Sequence, residues 1–354
     1  MLYVGIDLHK KTITLCVVNQ AREAVIGQKR FLCADPSRIR SFFEALGPFQ
    51  AVVEATASYE WLWEMLEPLA DRLVLAHPKK LRVIAESTRK SDKLDARVLA
   101  EFLALDMIPQ AYRPTPRQRQ HRALVRQREF VSGRITAVKN KMRRVLSDYN
   151  ADRRDLFSLE GQAYLLQAKV SAADRFVLDQ LVEHWQHLEK QRRAVDQTLR
   201  AFAKTAPVAE AEARTLLRSI PEVGTVTVDV VVSELGDVRR FRSAKQVSAY
   251  AGLAPGRRES AGKSKDLGIT KEGSSRLRWA LVEAAWRIVR RSPRWRTIYE
   301  QLWRRRGKKK AVVAIARRLL TVMVALLRSG QPYRLIPGVT TPVAGAATAA
   351  ATTK

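Results

Sequence analysis

Asp92 and Asp95 stand three residues apart in "KSDKLDARVLAEFL", a stretch whose pattern otherwise predicts a helix. On a helix that spacing puts both carboxylates on one face, one turn apart, where like charges destabilise the helix unless a cation lies between them. Asp7 in "YVGIDL" and Glu54 near the end of "AVVEA" are two further carboxylates, and each interrupts an apolar run that reads as a strand. Four carboxylates converging from three elements repel one another unless cations neutralise them. Hard oxygen ligands suit Mg²⁺ or Mn²⁺, which complete their shells with substrate phosphate. Two such ions clamp a phosphodiester and stabilise both the attacking and the leaving oxygen. A local explanation competes: aspartate at a helix N-terminus is favoured by capping and by the helix dipole alone. Spacing leaves both readings open.

The elements that must position these acids follow from periodicity. "LYVGIDLHKKTITLCVVNQ" predicts two strands joined by a polar turn at His9–Lys11, and "AVIGQKRFLCA" a third strand. "SRIRSFFEALG" predicts a short amphipathic helix opened by Ser37, "FQAVVEA" a buried strand, "YEWLWEMLEPLA" a helix, "RLVLAHP" a strand and "PKKLRVIAES" another helix. Strands followed by alternating helix and strand make a mixed α/β domain over residues 1–110. In such a domain the first and fourth strands can be neighbours, with a later helix across their ends.

Residues 111–205 change character. Val131, Ile135, Val138, Met142, Val145 and Tyr149 recur by threes and fours, as do Leu178, Leu181, Trp185, Leu188, Val195, Leu199 and Phe202. Two long helices with such seams predict an antiparallel hairpin or coiled-coil oligomerising arm, with a plain helical linker as the alternative. "LLRSIPEVGTVTVDVVVSEL" then predicts helix, turn, helix, resembling a helix-hairpin-helix whose turn amides cradle a phosphate. Glu222 stands where such turns carry glycine, so a packing hairpin is the alternative. Residues 206–335 are expected to be mainly α and basic, and residues 336–354 a disordered, low-complexity tail.

Charge separates these regions. The 354-residue chain carries a formal +29, an excess that calls for a polyanionic partner. Residues 1–110 hold 15 basic against 14 acidic side chains, whereas residues 239–335 hold 26 against 5. The run Arg304, Arg305, Arg306, Lys308, Lys309, Lys310, set among tryptophans, is expected to meet nucleic acid through phosphates and stacked bases. Trp279 and Trp286, a heptad apart, read as core. Two cysteines, Cys16 and Cys33, neither at metal-ligand spacing with histidine, argue for a reducing compartment and against zinc. Charged residues interrupt any N-terminal apolar run, and Arg317 and Arg318 interrupt Ala311–Leu327, so a cytoplasmic protein without membrane spans is expected.

"YVGIDLHKKTITLCVV", "VVEATASYEW" and "KSDKLDARVLAEFL" resemble the three acidic motifs of the DEDD insertion-sequence transposases, the one-hundred-ten family. The stretch from "SIPEVGTVTVDVVVSEL" to "LRWALVEAAW" resembles the C-terminal transposase domain of that family. The resemblance implies an RNase H-like, RuvC-like front domain in which Asp7, Glu54, Asp92 and Asp95 hold two Mg²⁺ or Mn²⁺ ions. It places a catalytic serine at Ser260 in "GLAPGRRESAGKSK", with Ser264 as the fallback because Ala261 stands where the family carries glycine. A serine that displaces a DNA hydroxyl keeps the phosphodiester energy in a phosphoserine, so rejoining needs no ATP. Arg257, Arg258 and Lys263 are positioned in sequence to stabilise the phosphate, with Lys265, Lys271 and Arg276 as further nucleic-acid contacts. "AGKS" is not a P-loop, because Arg257 stands where that motif needs glycine.

The resemblance also implies donor and target DNA, a structured non-coding guide RNA and a homodimer or homotetramer as partners, in a nucleoid-associated setting in the bacterial cytosol. The activity expected is therefore strand cleavage and exchange by a DNA transposase. A junction-resolving endonuclease using water, or a non-catalytic nucleic-acid-binding protein, are the alternatives.

Overall fold

The computed structural model describes residues 1–55, 58–85, 96–260 and 263–334, with the side chains of 82–85, 257–260 and 263–266 outside that description. Asp92 and Asp95, Ala261 and the tail expected at 336–354 lie outside the described residues. The chain divides into two units, one of Met1–Pro114 and one starting at Thr115.

The first unit is built on a five-stranded sheet of order β3-β2-β1-β4-β5. β1 (Leu2–Leu8), β2 (Thr12–Val18) and β3 (Ala24–Leu32) form an antiparallel meander. The first turn closes where the His9 amide donates to the Thr12 carbonyl at 2.9 Å. α1 (Pro36–Glu44) leads to β4 (Phe49–Glu54), and α2 (Glu60–Leu66) supplies the crossover to β5 (Arg72–Ala76). β4 lies parallel to β1 and to β5. α3 (Pro78–Ala85) and α4 (Ala96–Ala104) complete the unit. α1 is capped by Asp35, which accepts from the Arg38 amide at 3.1 Å, and not by Ser37. Pro36, with φ fixed by its ring, occupies the first helical turn and moves the start forward.

Strand alternation sorts this sheet into two faces. Val4, Ile6, Leu8, Ala51 and Val53 join Ile39, Phe43, Leu62 and Leu66 of α1 and α2 in one core. Tyr3, Cys16, Val52 and Val74 join Leu81 of α3 and Ala96, Leu99, Ala100 and Leu103 of α4 in another. β1 is therefore apolar on both sides, which is why an acid within it is conspicuous.

The second unit is helical apart from one hairpin. α5 (Pro116–Ser147), α6 (Leu159–Gln167) and α7 (Ala172–Lys204) form an arm. α5 and α7 run antiparallel: Arg128 meets Asp196 at 2.6 Å, Lys139 meets Glu189 at 3.7 Å, and the Tyr149 hydroxyl reaches Asp174. The seam holds Val131, Ile135, Val138, Met142 and Leu146 against Leu178, Leu181, Trp185 and Leu188. Leu146 is fully buried in the seam with Val145 packed partly buried against it, while Tyr149 is exposed and reaches over the end of α7. At the opposite end Val125 and Leu199 enter the core of the helices that follow, so arm and C-terminal helices share a unit.

Those helices are α8 (Val208–Arg218), α9 (Thr225–Leu235), α10 (Ala244–Tyr250), α11 (Ser275–Arg291), α12 (Pro293–Arg306) and α13 (Lys308–Ser329). Between α10 and α11 the chain forms β6 (Pro255–Ser260) and β7 (Lys263–Ile269), paired antiparallel. The hairpin is an addition to the mainly α segment expected over residues 206–335. A two-stranded ribbon made of "PGRRES" and "KSKDLGI" carries almost no apolar alternation, the signal by which strands are recognised. Among the described residues no helix is long and apolar enough to cross a membrane.

Candidate active site and nucleic-acid interface

β1 and β4 are in parallel register up to the pair Ile6–Val53. Asp7 and Glu54 are the next residue on each strand, so they stand side by side at the carboxyl ends of neighbouring strands. Alternation places both on the face that carries Tyr3, Val52 and α4. α4 lies close against β1 there because residue 5 is glycine: a Cβ on Gly5 would fall 1.9 Å from the Ala96 carbonyl oxygen and 2.5 Å from the Ala100 amide. Ala96 is the residue after Asp95 in the chain.

Asp7 is partly buried, and its carboxylate meets His9 Nε2 at 3.0 Å. His9 escaped the reading of the sequence as a site residue, although two positions along an extended chain is a same-face spacing. Nearby, at the end of β5, the side chain of His77 has a buried Nδ1 without a hydrogen-bond partner. Among the described residues no group of three or more His, Cys, Asp or Glu side chains forms a metal cage. The two acids that are described offer adjacent hard oxygen donors, the class Mg²⁺ takes.

In the second unit Ser260 ends β6, paired with Lys263, and Ser264 on β7 pairs with Glu259. Arg257, Arg258 and Lys265 lie on the same ribbon. Its base is fixed by backbone bonds from Leu253 to Ser248 (2.8 Å), Thr270 to Ala254 (3.0 Å) and Lys271 to Gly252 (3.1 Å). Gly252 has φ +65°, and a Cβ there would meet the Gly273 amide at 2.7 Å. Arg278 of α11 donates to the carbonyls of Ala251 (3.2 Å) and Gly273 (2.8 Å), so it clamps both ends of the ribbon. Arg278 carried no sequence signal, since its role depends on two backbone oxygens far apart in the chain.

The α8–α9 turn keeps its glycine-like geometry without glycine, because Glu222 itself adopts φ +65°. Gly224 is the N-cap of α9 and supplies no side-chain hydrogen bond. Its other end is held by α5, where Gln118 and Arg122 each donate to the Ser233 carbonyl at 2.8 Å. Within the helix, buried Asp229 accepts from Arg214 at 2.6 Å and contacts His121 at 3.0 Å. Arg214 also bonds Glu210, which Arg117 reaches from α5. Burial opposes ionisation of Glu210, but the hydrogen bonds from Arg117 and Arg214 outweigh it and hold its carboxyl below the usual range.

The cationic run is solvent-facing. Arg304, Arg305 and Arg306 close α12, and Lys308, Lys309 and Lys310 open α13, all exposed. Lys271 is exposed between β7 and α11, whereas Arg276 is ion-paired with Glu129 of α5. Trp286 is partly buried against the core, as expected, but Trp279 is 50% exposed. α12 and α13 cover α11 at Trp286, next to Tyr299 and Lys308, and Trp279 lies two turns earlier on the same face.

Residues 4–151 match a domain described as "Transposase", the DEDD type of the IS110 family, and residues 214–300 match "Transposase IS116/IS110/IS902 family". A relative from Coxiella burnetii, the transposase for insertion sequence element IS1111A, is 26% identical, covering 94% of this chain and 91% of its own. The pilin gene-inverting protein of Moraxella lacunata is 26% identical over 94% of this chain and 97% of its own. A probable family 20 transposase of Pseudomonas aeruginosa is 24% identical, over 94% and 98%. With relatives of similar length named as transposases, the chain carries, in order, the N-terminal and C-terminal domains of the IS110/IS116 family of transposases, DNA-recombining enzymes.

Proposed function

We propose that this transposase cleaves and exchanges DNA strands by metal-dependent phosphoryl transfer through a covalent phosphoserine at Ser260. The observation that carries the reading is the adjacency of Asp7 and Glu54 on the α4 face of the sheet. The strand order, with an antiparallel meander extended on one side by two parallel strands, supports an RNase H-like description of the first unit. Asp7, Glu54, Asp92 and Asp95 would hold two Mg²⁺ or Mn²⁺ ions. Bound there, the ions supply charge stabilisation to the oxygens of a scissile phosphodiester.

The ribbon supplies the nucleophile. The Ser260 hydroxyl oxygen forms a bond to phosphorus as its proton departs, and the bond from phosphorus to the deoxyribose oxygen breaks, that oxygen leaving as a DNA hydroxyl. In the reverse step a hydroxyl from another strand attacks the phosphoserine and releases Ser260, so the number of phosphodiester bonds is conserved. Arg257, Arg258 and Lys263 stabilise the charge gathered on the phosphate. Arg278 and Gly252 act as positioning residues, through the base of the ribbon.

Lys265, Lys271 and the run Arg304–Lys310 supply phosphate contacts to donor and target DNA. The large surplus of positive charge accommodates a second polyanion beside DNA, here a structured RNA. Exchange between two duplexes needs several cleavages, so a dimer or tetramer is the working form. The pilin gene-inverting name of one relative supports recombination of DNA segments as the reaction class.

The test mixes purified protein, Mg²⁺, donor and target DNA and RNA transcribed from the flanking element. Joined product is expected from the native chain and none from Asp7→Asn. Recombination by Asp7→Asn at the native rate would overturn the assignment of the acidic site.

A further inference from the structure

We propose that Trp303 is a stacking platform for a base of an unpaired DNA strand, held in place by the cations around the α12–α13 joint. The proposal rests on the DNA-recombining reading above and deepens it by naming the state of the DNA bound.

Trp303 is 51% exposed, while Trp295 on the same helix is buried. Its ring lies over Tyr299, one turn earlier, with centroids 6.2 Å apart and planes inclined by 27°. Tyr299 is itself buried, and that burial pushes its hydroxyl pKa up. Trp286 packs edge-on against Tyr299 at 5.6 Å, and Lys308 Nζ stands 5.7 Å from the centre of the Trp286 ring. The exposed indole is therefore the outer rung of an anchored aromatic ladder, and a ligand stacking on it meets a surface already ordered.

The surroundings select a polyanion. Residues 293–329 carry eleven basic side chains and one acid, Glu300. Arg304, Arg305, Arg306, Lys308, Lys309 and Lys310 form no ion pair among the described residues. The three lysines occupy the first turn of α13, where no acidic residue stands and where the helix dipole already favours negative charge. A second copy of this chain would bring like charge to the patch, and duplex DNA would satisfy the cations but hide its base faces. Unpaired nucleotides satisfy both features, because each base has a π-face to stack and each phosphate a charge to neutralise. Cleavage followed by exchange leaves DNA strands transiently unpaired, which makes single-stranded DNA the occupant.

Fluorescence anisotropy of the full chain with labelled single-stranded DNA, the same sequence as duplex DNA, and the same sequence as single-stranded RNA tests this across a salt series. Trp303→Ala should weaken single-stranded DNA binding by roughly 5- to 150-fold, from about 1–3 kcal/mol per stacked base. It should leave duplex binding within about twofold and the salt slope unchanged, since no charge is removed. Trp303→Phe should restore most of the affinity, and Trp303→Leu, which keeps bulk but no π-face, should not. Unchanged single-stranded DNA binding, or equal losses on single strand and duplex, would overturn the proposal, and tighter RNA binding with the same dependence on Trp303 would overturn DNA as the occupant. If Arg305→Ala and Lys309→Ala weaken all three ligands while Trp303→Ala weakens none, the cationic interface stands and the stacking proposal falls.

Discussion

Asp7 and Glu54 are 47 positions apart in sequence, yet each is the residue immediately after the paired Ile6 and Val53 on neighbouring parallel strands. They stand at the carboxyl ends of two inner strands of the sheet, on the face where α4 begins. Asp7→Asn and Glu54→Gln should each remove strand cleavage by more than the roughly 10–100-fold typical of outer-shell partners of a metal. Melting temperatures should hold or rise, since a like-charge contact is relieved. Parallel loss of activity and fold would indicate a structural role instead.

Chelation separates chemistry from grip. Excess EDTA should abolish cleavage, while nucleic acid binding measured by anisotropy stays near its native level. Binding that collapses together with cleavage would mean that the metal organises the interface and not the reaction.

Gly5 sets the distance between α4 and β1. Gly5→Ala places a methyl 1.9 Å from the Ala96 carbonyl, which the backbone relieves only by moving the helix. Destabilisation of about 1–3 kcal/mol is expected in urea titrations, with cleavage reduced further than stability alone explains. Gly252→Ala, strained at φ +65° and against the Gly273 amide, should likewise lower cleavage more than DNA binding.

The base of α8 gives a pH signature. The folded Glu210 carboxyl holds its proton less tightly than the unfolded one. Its contribution to stability is thus present above the ordinary Glu value of about 4.3 and is lost as pH falls through the lower folded value. Thermal melts should show Glu210→Gln below the native protein at neutral pH, with the gap closing as pH falls below about 4. A gap that is constant with pH would contradict the charge-assisted bonds to Arg117 and Arg214.

Each cation of the α12–α13 joint should act mainly through salt. Lys309→Ala is expected to lower the slope of log affinity against log salt by about 0.7–0.9, the contribution of one phosphate contact. An unchanged slope would remove Lys309 from the interface.

The strands of the first unit were legible because β1, β2, β4 and β5 are apolar runs broken by turn residues. Asp7 and Glu54 were legible for the complementary reason, as charges where burial is expected. The β6–β7 ribbon was not, because its residues are polar and its pairing is held by backbone bonds at Gly252, Ala254 and Ser248. Exposure of Trp279 was equally hidden: heptad spacing from Trp286 assigns a shared helix face, but not how far neighbouring helices cover it. Arg278 and the His121–Asp229–Arg214 group illustrate the same limit, since their partners are brought near only by tertiary packing.

The most direct measurement is the capture of the covalent intermediate. End-labelled donor DNA, Mg²⁺, the flanking-element RNA and protein are quenched in denaturant, resolved on a denaturing gel with and without protease, and the adduct peptide is mapped by mass spectrometry. The account predicts a protease-sensitive adduct joined through Ser260, absent from Ser260→Ala and from Asp7→Asn but present in Ser264→Ala. Cleaved DNA with free ends only, or an adduct that survives in Ser260→Ala, would contradict it.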